Sequence, residues 1–373
     1  MVFVAVTMIT AVEVSAESGS TSESRSPSVR ATELIEALRS SAKAPSVQAA
    51  VARGGRIVYS KAIGIADVEE KTKATPETVY NIGSISKVIT AVAVTQLIEA
   101  GKVKLSDPVQ KFVPEFPDKG APITVWNLLT HTSGIRGYRI HDFPGDDWAV
   151  NHRHYSSIEE AIGIFKNDPL LFRPGKYYFY SSYAVDLLQG VVERASSLPF
   201  GEYLEEHIFS PAGMTRSGLD VAGQRAPDRA YGYELRKGKL VRADVEDVSY
   251  KYASGGMVST AADLVRLGIA LNHGKLLDSK ARALMWSPQL PVVHRFRKGR
   301  RPAIERFHQG LLWRLVDRPH GRTFVYMCGT INGFNGCLLD YTKEDLVGAM
   351  TVNLEAGGYR PVEGLVAIFR QEK

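Results

Sequence analysis

Between Glu77 and Glu99 the chain carries one charged side chain, Lys87, at the head of the apolar run Ile85–Ile98. A run of that length predicts a helix buried on every side. An ammonium inside such a helix is costly unless it is paired or put to use. Ser84 lies three residues earlier, and residues three apart share one helix face. Burial disfavours the charged form of an amine and so prepares it to take a proton from a neighbouring hydroxyl. Ser84-Ile85-Ser86-Lys87 therefore reads as the Ser-x-x-Lys of an acyl-transfer centre.

At 373 residues the chain can bury a large core as one domain or two intergrown ones. Thr32–Ser41 patterns as an amphipathic helix with Leu34, Ile35 and Leu38 on one face. Ser46–Arg53 and Arg56–Ile65 alternate apolar and polar residues around Gly54-Gly55, the pattern of a hairpin. Helical patterns broken by Pro and Gly then run to about residue 250, as in Val125–Leu129, Ile158–Phe165, Val185–Ala195 and Phe200–Ile208. A further helix is predicted over Ala261–His273. Strands return at Gly310–Val316, Thr323–Cys328, Phe334–Tyr341 and Leu346–Asn353, followed by a closing helix near Val362–Gln371. Strands at both ends around a helical middle predict an α+β fold. It has one antiparallel sheet built from the N- and C-terminal segments, flanked by helices, with a mostly helical subdomain inserted at about residues 105–250.

Residues 2–12 are apolar apart from two threonines, and Val14-Ser15-Ala16 offers small residues suited to signal cleavage, although no Lys or Arg precedes Arg25. Residues 1–16 are read as an export signal, with mitochondrial and cytoplasmic locations as the alternatives. Residues 17–30 are read as a disordered linker, and 31–373 as the folded domain. No segment patterns as a strong membrane anchor. The net charge of +6 favours anionic partners weakly, and its local excess lies at His294–Arg301, read as a solvated loop. No nucleic-acid motif accompanies it. His152 and His154, near Asp146 and Asp147, lack zinc spacing, so neither a metal nor a cofactor is expected. If Asn332-Gly333 is a two-residue turn, Cys328 and Cys337 face each other at a non-hydrogen-bonded pair. A disulfide and a pair of buried thiols both fit that placement.

A second polar constellation, Tyr180-Ser181-Ser182, precedes a predicted helix. A phenol beside a lysine can act as a base or proton shuttle, while the serines also suit helix capping. With these motifs the chain resembles the serine β-lactamase and penicillin-binding-protein superfamily in its class C branch. The likeness rests on Tyr80-Asn81-Ile82-Gly83-Ser84-Ile85-Ser86-Lys87, Leu128-Leu129-Thr130-His131-Thr132-Ser133-Gly134-Ile135, Arg173-Pro174-Gly175, Tyr180-Ser181-Ser182 and Ala253-Ser254-Gly255-Gly256-Met257-Val258-Ser259-Thr260. Phe165–Leu170 and Val248–Tyr252 resemble the branch that includes a mitochondrial serine β-lactamase-like protein and its bacterial relatives.

The resemblance implies that Ser84 is the acylated nucleophile, Lys87 its proton acceptor, and Tyr180 a partner in the base role that protonates the leaving group. It implies an oxyanion hole from the backbone N–H groups of Ser84 and Thr330, with Ser182, Met327 and Gly329 lining the substrate site. Two departures stand out. Ser182 occupies a place where the family has asparagine, giving one donor instead of two. Met327-Cys328-Gly329 replaces Lys-Thr-Gly or His-x-Gly, and alternation is expected to turn Met327 into the cleft. A thioether cannot pair with a carboxylate, so peptide or ester substrates engaged through neutral groups are expected over carboxylate-bearing β-lactams. The expected function is hydrolysis of a peptide, amide or ester through an acyl-enzyme. The alternative is a non-catalytic scaffold that retains the fold, as the filament-forming relatives of the mitochondrial protein suggest. His131 is read as a scaffold residue, and Trp148, Trp286 and Trp313 as core or cleft-wall aromatics.

Overall fold

The computed structural model describes residues 25–139, 142–143, 150–224, 228–318, 322–355 and 360–370. The signal assigned to residues 1–16 lies outside these, as do Asp146, Asp147 and Trp148. Helix α1 spans Pro27–Ala42, so the last part of the expected linker is helical. The reason is local: Ser26 caps the helix by accepting from Val29 N, and Pro27 fills the first turn, where no N–H is needed.

The hairpin β1 (Ser46–Arg53) and β2 (Arg56–Asp67) follows, then the short β3 (Thr72–Lys73). Helix α2 covers Ser86–Glu99, α3 Ser182–Ser196 and α4 Ala261–Asn272. The C-terminal strands are β4 (His308–Gln309), β5 (Arg314–Arg318), β6 (Arg322–Ile331), β7 (Phe334–Tyr341) and β8 (Leu346–Val352), and α5 (Arg360–Ile368) follows them. They form one antiparallel sheet in the order β4-β5-β6-β7-β8-β1-β2-β3. The last strand thus pairs with the first, joining the chain's two ends. Of the strand expected over Gly310–Val316, only Arg314–Val316 is extended, in β5; Gly310–Trp313 forms the turn from β4. Leu312 has a positive φ of 60°, which breaks the extended path.

The central strands are covered on both faces, so β7 is buried at every position. Alternation divides its side chains: Leu338 joins the core shared with α2, α3 and α4, while Cys337 and Leu339 join the core shared with α1 and α5. The inserted region is less helical than its sequence suggested. It includes an exposed hairpin, Tyr233–Arg236 with Lys239–Arg242. Lys237 and Gly238 at its tip both have positive φ, the backbone a tight two-residue turn requires. The basic segment at 294–301 also begins in a strand pair, His294–Arg295 with Ala303–Ile304, hydrogen-bonded alongside Tyr178.

Candidate active site

Helix α2 is buried almost throughout, and its polar residues are satisfied locally. Thr90 Oγ1 donates to the Ala253 carbonyl at 2.8 Å, and Ser86 Oγ donates to the Gly83 carbonyl at 2.7 Å. A 3-10 turn, Gly83–Ile85, precedes the helix and holds Ser84 half-buried. Lys87, one turn on, is 0% exposed. Its Nζ lies 3.1 Å from Ser84 Oγ, 3.1 Å from Ser182 Oγ and 2.6 Å from the Ser254 carbonyl, to which it donates. Those three contacts match the three hydrogens of an ammonium. They equally match a neutral amine that donates to Ser182 and Ser254 and accepts from Ser84.

The two serines after Tyr180 separate in role. Ser181 caps α3, accepting from Ala184 N and donating to the Arg136 carbonyl at 2.6 Å. Ser182 turns to Lys87 instead. Tyr180 lies with its ring centre 5.0 Å from Lys87 Nζ. Burial pushes its phenol up, but the charges of Lys87 and Arg314 and the Ser84 hydroxyl outweigh this and leave it below the ordinary phenol range. His131 packs on the same ring, with centroids 4.5 Å apart. Its Nδ1 accepts from Ser181 N, and burial together with Lys87 and Arg314 holds the imidazole well below its usual range, hence neutral.

Thr330, near the end of β6, is opposite Asn335, one pair out from the Ile331–Phe334 pair that flanks the turn. That makes it a non-hydrogen-bonded pair, so the Thr330 N–H points away from β7 toward the Ser84 turn. Two glycines permit the approach. A Cβ on Gly329 would fall 2.6 Å from Ser84 N and 2.0 Å from the Ile82 carbonyl; one on Gly83 would fall 2.9 Å from Thr330 N. Gly83 also has a φ of +48°, where a side chain is strained. The amides of Ser84 and Thr330 are therefore held at one end of the turn. Cys328 and Cys337 are opposite each other, as the turn predicts, and are disulfide-bonded.

Met327 requires a correction. It faces the helical side, as alternation requires, but is 1% exposed within the core and has no surface to offer a substrate. Sequence reasoning also missed two groups. Asp186 on α3 is fully buried and accepts from Ser254 N at 3.0 Å, and burial pushes its carboxyl up to about 7. The signal was present: it is the only charged residue between Lys176 and Glu193, the same clue that exposed Lys87. Arg314, at the start of β5, lies with Cζ 5.6 Å from the Tyr180 ring centre. No local pattern marks it. Among the described residues no cluster of His, Cys, Asp or Glu is arranged to hold a metal.

The family model described as Beta-lactamase matches residues 31–369. The human mitochondrial serine beta-lactamase-like protein LACTB is 31% identical over 307 residues, covering 65% of this chain and 56% of that protein. The putative penicillin-binding protein PbpX of Bacillus subtilis is 34% identical over 241 residues, covering 64% and 58%. The chain thus spans little more than half the length of these relatives. The octameric penicillin-binding protein homologue from Pyrococcus abyssi superposes with a TM-score of 0.77 at 26% identity, over 91% of this chain and 77% of that one. With its antiparallel sheet, flanking helices and Ser84–Lys87 pair, the chain belongs to the beta-lactamase family, a family of serine hydrolases.

Proposed function

We propose that the protein hydrolyses a peptide, amide or ester through an acyl-enzyme on Ser84. The observation that carries this reading is a fully buried amine 3.1 Å from the Ser84 hydroxyl. As Ser84 Oγ bonds to the substrate carbonyl carbon, its proton passes to the Lys87–Tyr180 pair. Negative charge on the carbonyl oxygen is met by the amides of Ser84 and Thr330, each donor being worth about 3 kcal/mol in comparable sites. The start of α2 adds a favourable dipole. The pair then protonates the leaving amine or alcohol as the tetrahedral intermediate collapses, and water attacking the acyl carbon restores Ser84.

The burial of Met327 favours a second reading, a scaffold that keeps the fold without turnover, because the residue standing in place of the lysine or histidine gives the substrate no handle. Labelling with a fluorophosphonate or penicillin probe, read by intact mass, separates the two. A stoichiometric adduct lost in Ser84→Ala supports the enzyme. No adduct on wild type after prolonged labelling supports the scaffold.

We also propose that the protein works outside the reducing cytosol, a reading supported by the Cys328–Cys337 disulfide. Among the described residues no helix is long and apolar enough to cross a membrane. Thiol titration of denatured protein, taken from its native compartment under alkylation, is expected to find no free cysteine.

A further inference from the structure

Arg314 is a half-buried cation with no carboxylate partner among the described residues. Its Nε is buried without a hydrogen bond, although removing a guanidinium from water is costly unless charge or structured polarity replaces the water. What surrounds it is aromatic: Cζ lies 4.9 Å from the Phe307 ring centre, 5.6 Å from Tyr180 and 6.0 Å from Tyr326. The buried phenol of Tyr178 is a further neighbour. Lys87 approaches the Tyr180 ring from α2 at 5.0 Å, so two cations converge on one phenol. The other titratable groups around that phenol are His131 against its ring, Tyr178 two residues before it, and Asp186 behind Lys87.

We propose that Arg314 is a positioning residue for catalysis, supplying beside Tyr180 the positive charge that Met327 does not, so that Tyr180 accepts the Ser84 proton. The inference deepens the proposed function and rests on it: Ser84 must be the nucleophile. In the step itself the Ser84 O–H bond breaks as the Oγ–carbon bond forms, and the proton moves to the Tyr180 oxygen. It leaves with the departing amine or alcohol when the scissile bond breaks, and Tyr180 returns to its starting state.

The test is the pH dependence of kcat/KM for the neutral ester p-nitrophenyl acetate, with melting curves for every variant. In Arg314→Gln the rising limb is expected to move up by about one pH unit, making activity about tenfold lower on that limb, with KM nearly unchanged. Arg314→Lys is expected to restore most of the loss, and the charge-free Arg314→Met carries the comparison if the glutamine variant melts poorly. An unmoved limb in a well-folded Arg314→Gln or Arg314→Met overturns the proposal. So does a loss confined to a carboxylate-bearing ester, which would make Arg314 a substrate-binding residue. Tyr180→Phe is expected to abolish the wild-type limb, and its retention also overturns the proposal. Full turnover in Ser84→Ala would instead sink the underlying hydrolase reading.

Discussion

In the proposed reaction Lys87 and Tyr180 hold unequal stakes. Replacing Lys87 with alanine removes the partner of Ser84 and one of the two cations beside Tyr180, and leaves the buried Ser254 carbonyl without its donor. We expect Lys87→Ala to slow acylation by about two to four orders of magnitude and to cost about 1–3 kcal/mol of stability. Tyr180→Phe should cost less in the same stopped-flow assay, and the reverse order would give the tyrosine the larger share of the base role. Asp186 offers a separate test. Its carboxyl titrates near 7 in the fold, against an ordinary value of 3.8. Between those values the folded state binds more protons than the unfolded one, so this group withdraws stability as pH rises from about 4 to 7. Asp186→Asn should therefore raise the melting temperature relative to wild type by more at pH 8 than at pH 4. A gap that does not widen with pH would contradict the raised carboxyl.

The contact between the Ser84 turn and β6 depends on two residues without side chains. A Cβ on Gly329 would have to displace the Ile82 carbonyl, which is backbone and cannot swing aside. Gly329→Ala is thus expected to push β6 from the turn and lower kcat by at least about tenfold through a misplaced Thr330 amide, while the outer strands keep their register. Hydrogen exchange together with ester turnover would show both effects. The disulfide one pair further along closes only a short hairpin loop. Its reduction should cost about 2 kcal/mol or less, since the ladder already holds the strands together. Calorimetry with and without dithiothreitol measures this directly.

At the scale of the molecule, the site draws on five distant stretches of chain: Ser84–Lys87, Tyr180–Ser182, Ser254, Arg314 and Thr330. Ser84 and Lys87 were legible because a helix fixes the geometry of residues three apart and because a lone charge in an apolar run demands a reason. Tyr180 was legible only through its motif. The sheet built from both termini could be read from period-two patterning at each end, and the facing cysteines from a two-residue turn. Alternation also gave the face of Met327, but face is not exposure. Whether a residue on the helical side meets solvent or core depends on what packs above it, and here it meets the core. Arg314 left no trace in the sequence, since its place beside Tyr180 comes from the β5–β6 register and the approach of Tyr180 to β5. The sequence by itself determined the Ser84–Lys87 pairing and the layout of the sheet, because local periodicity and the cost of burying charge act over a few residues. The tertiary structure alone decided which cation stands beside the phenol, because long-range register and packing set that distance.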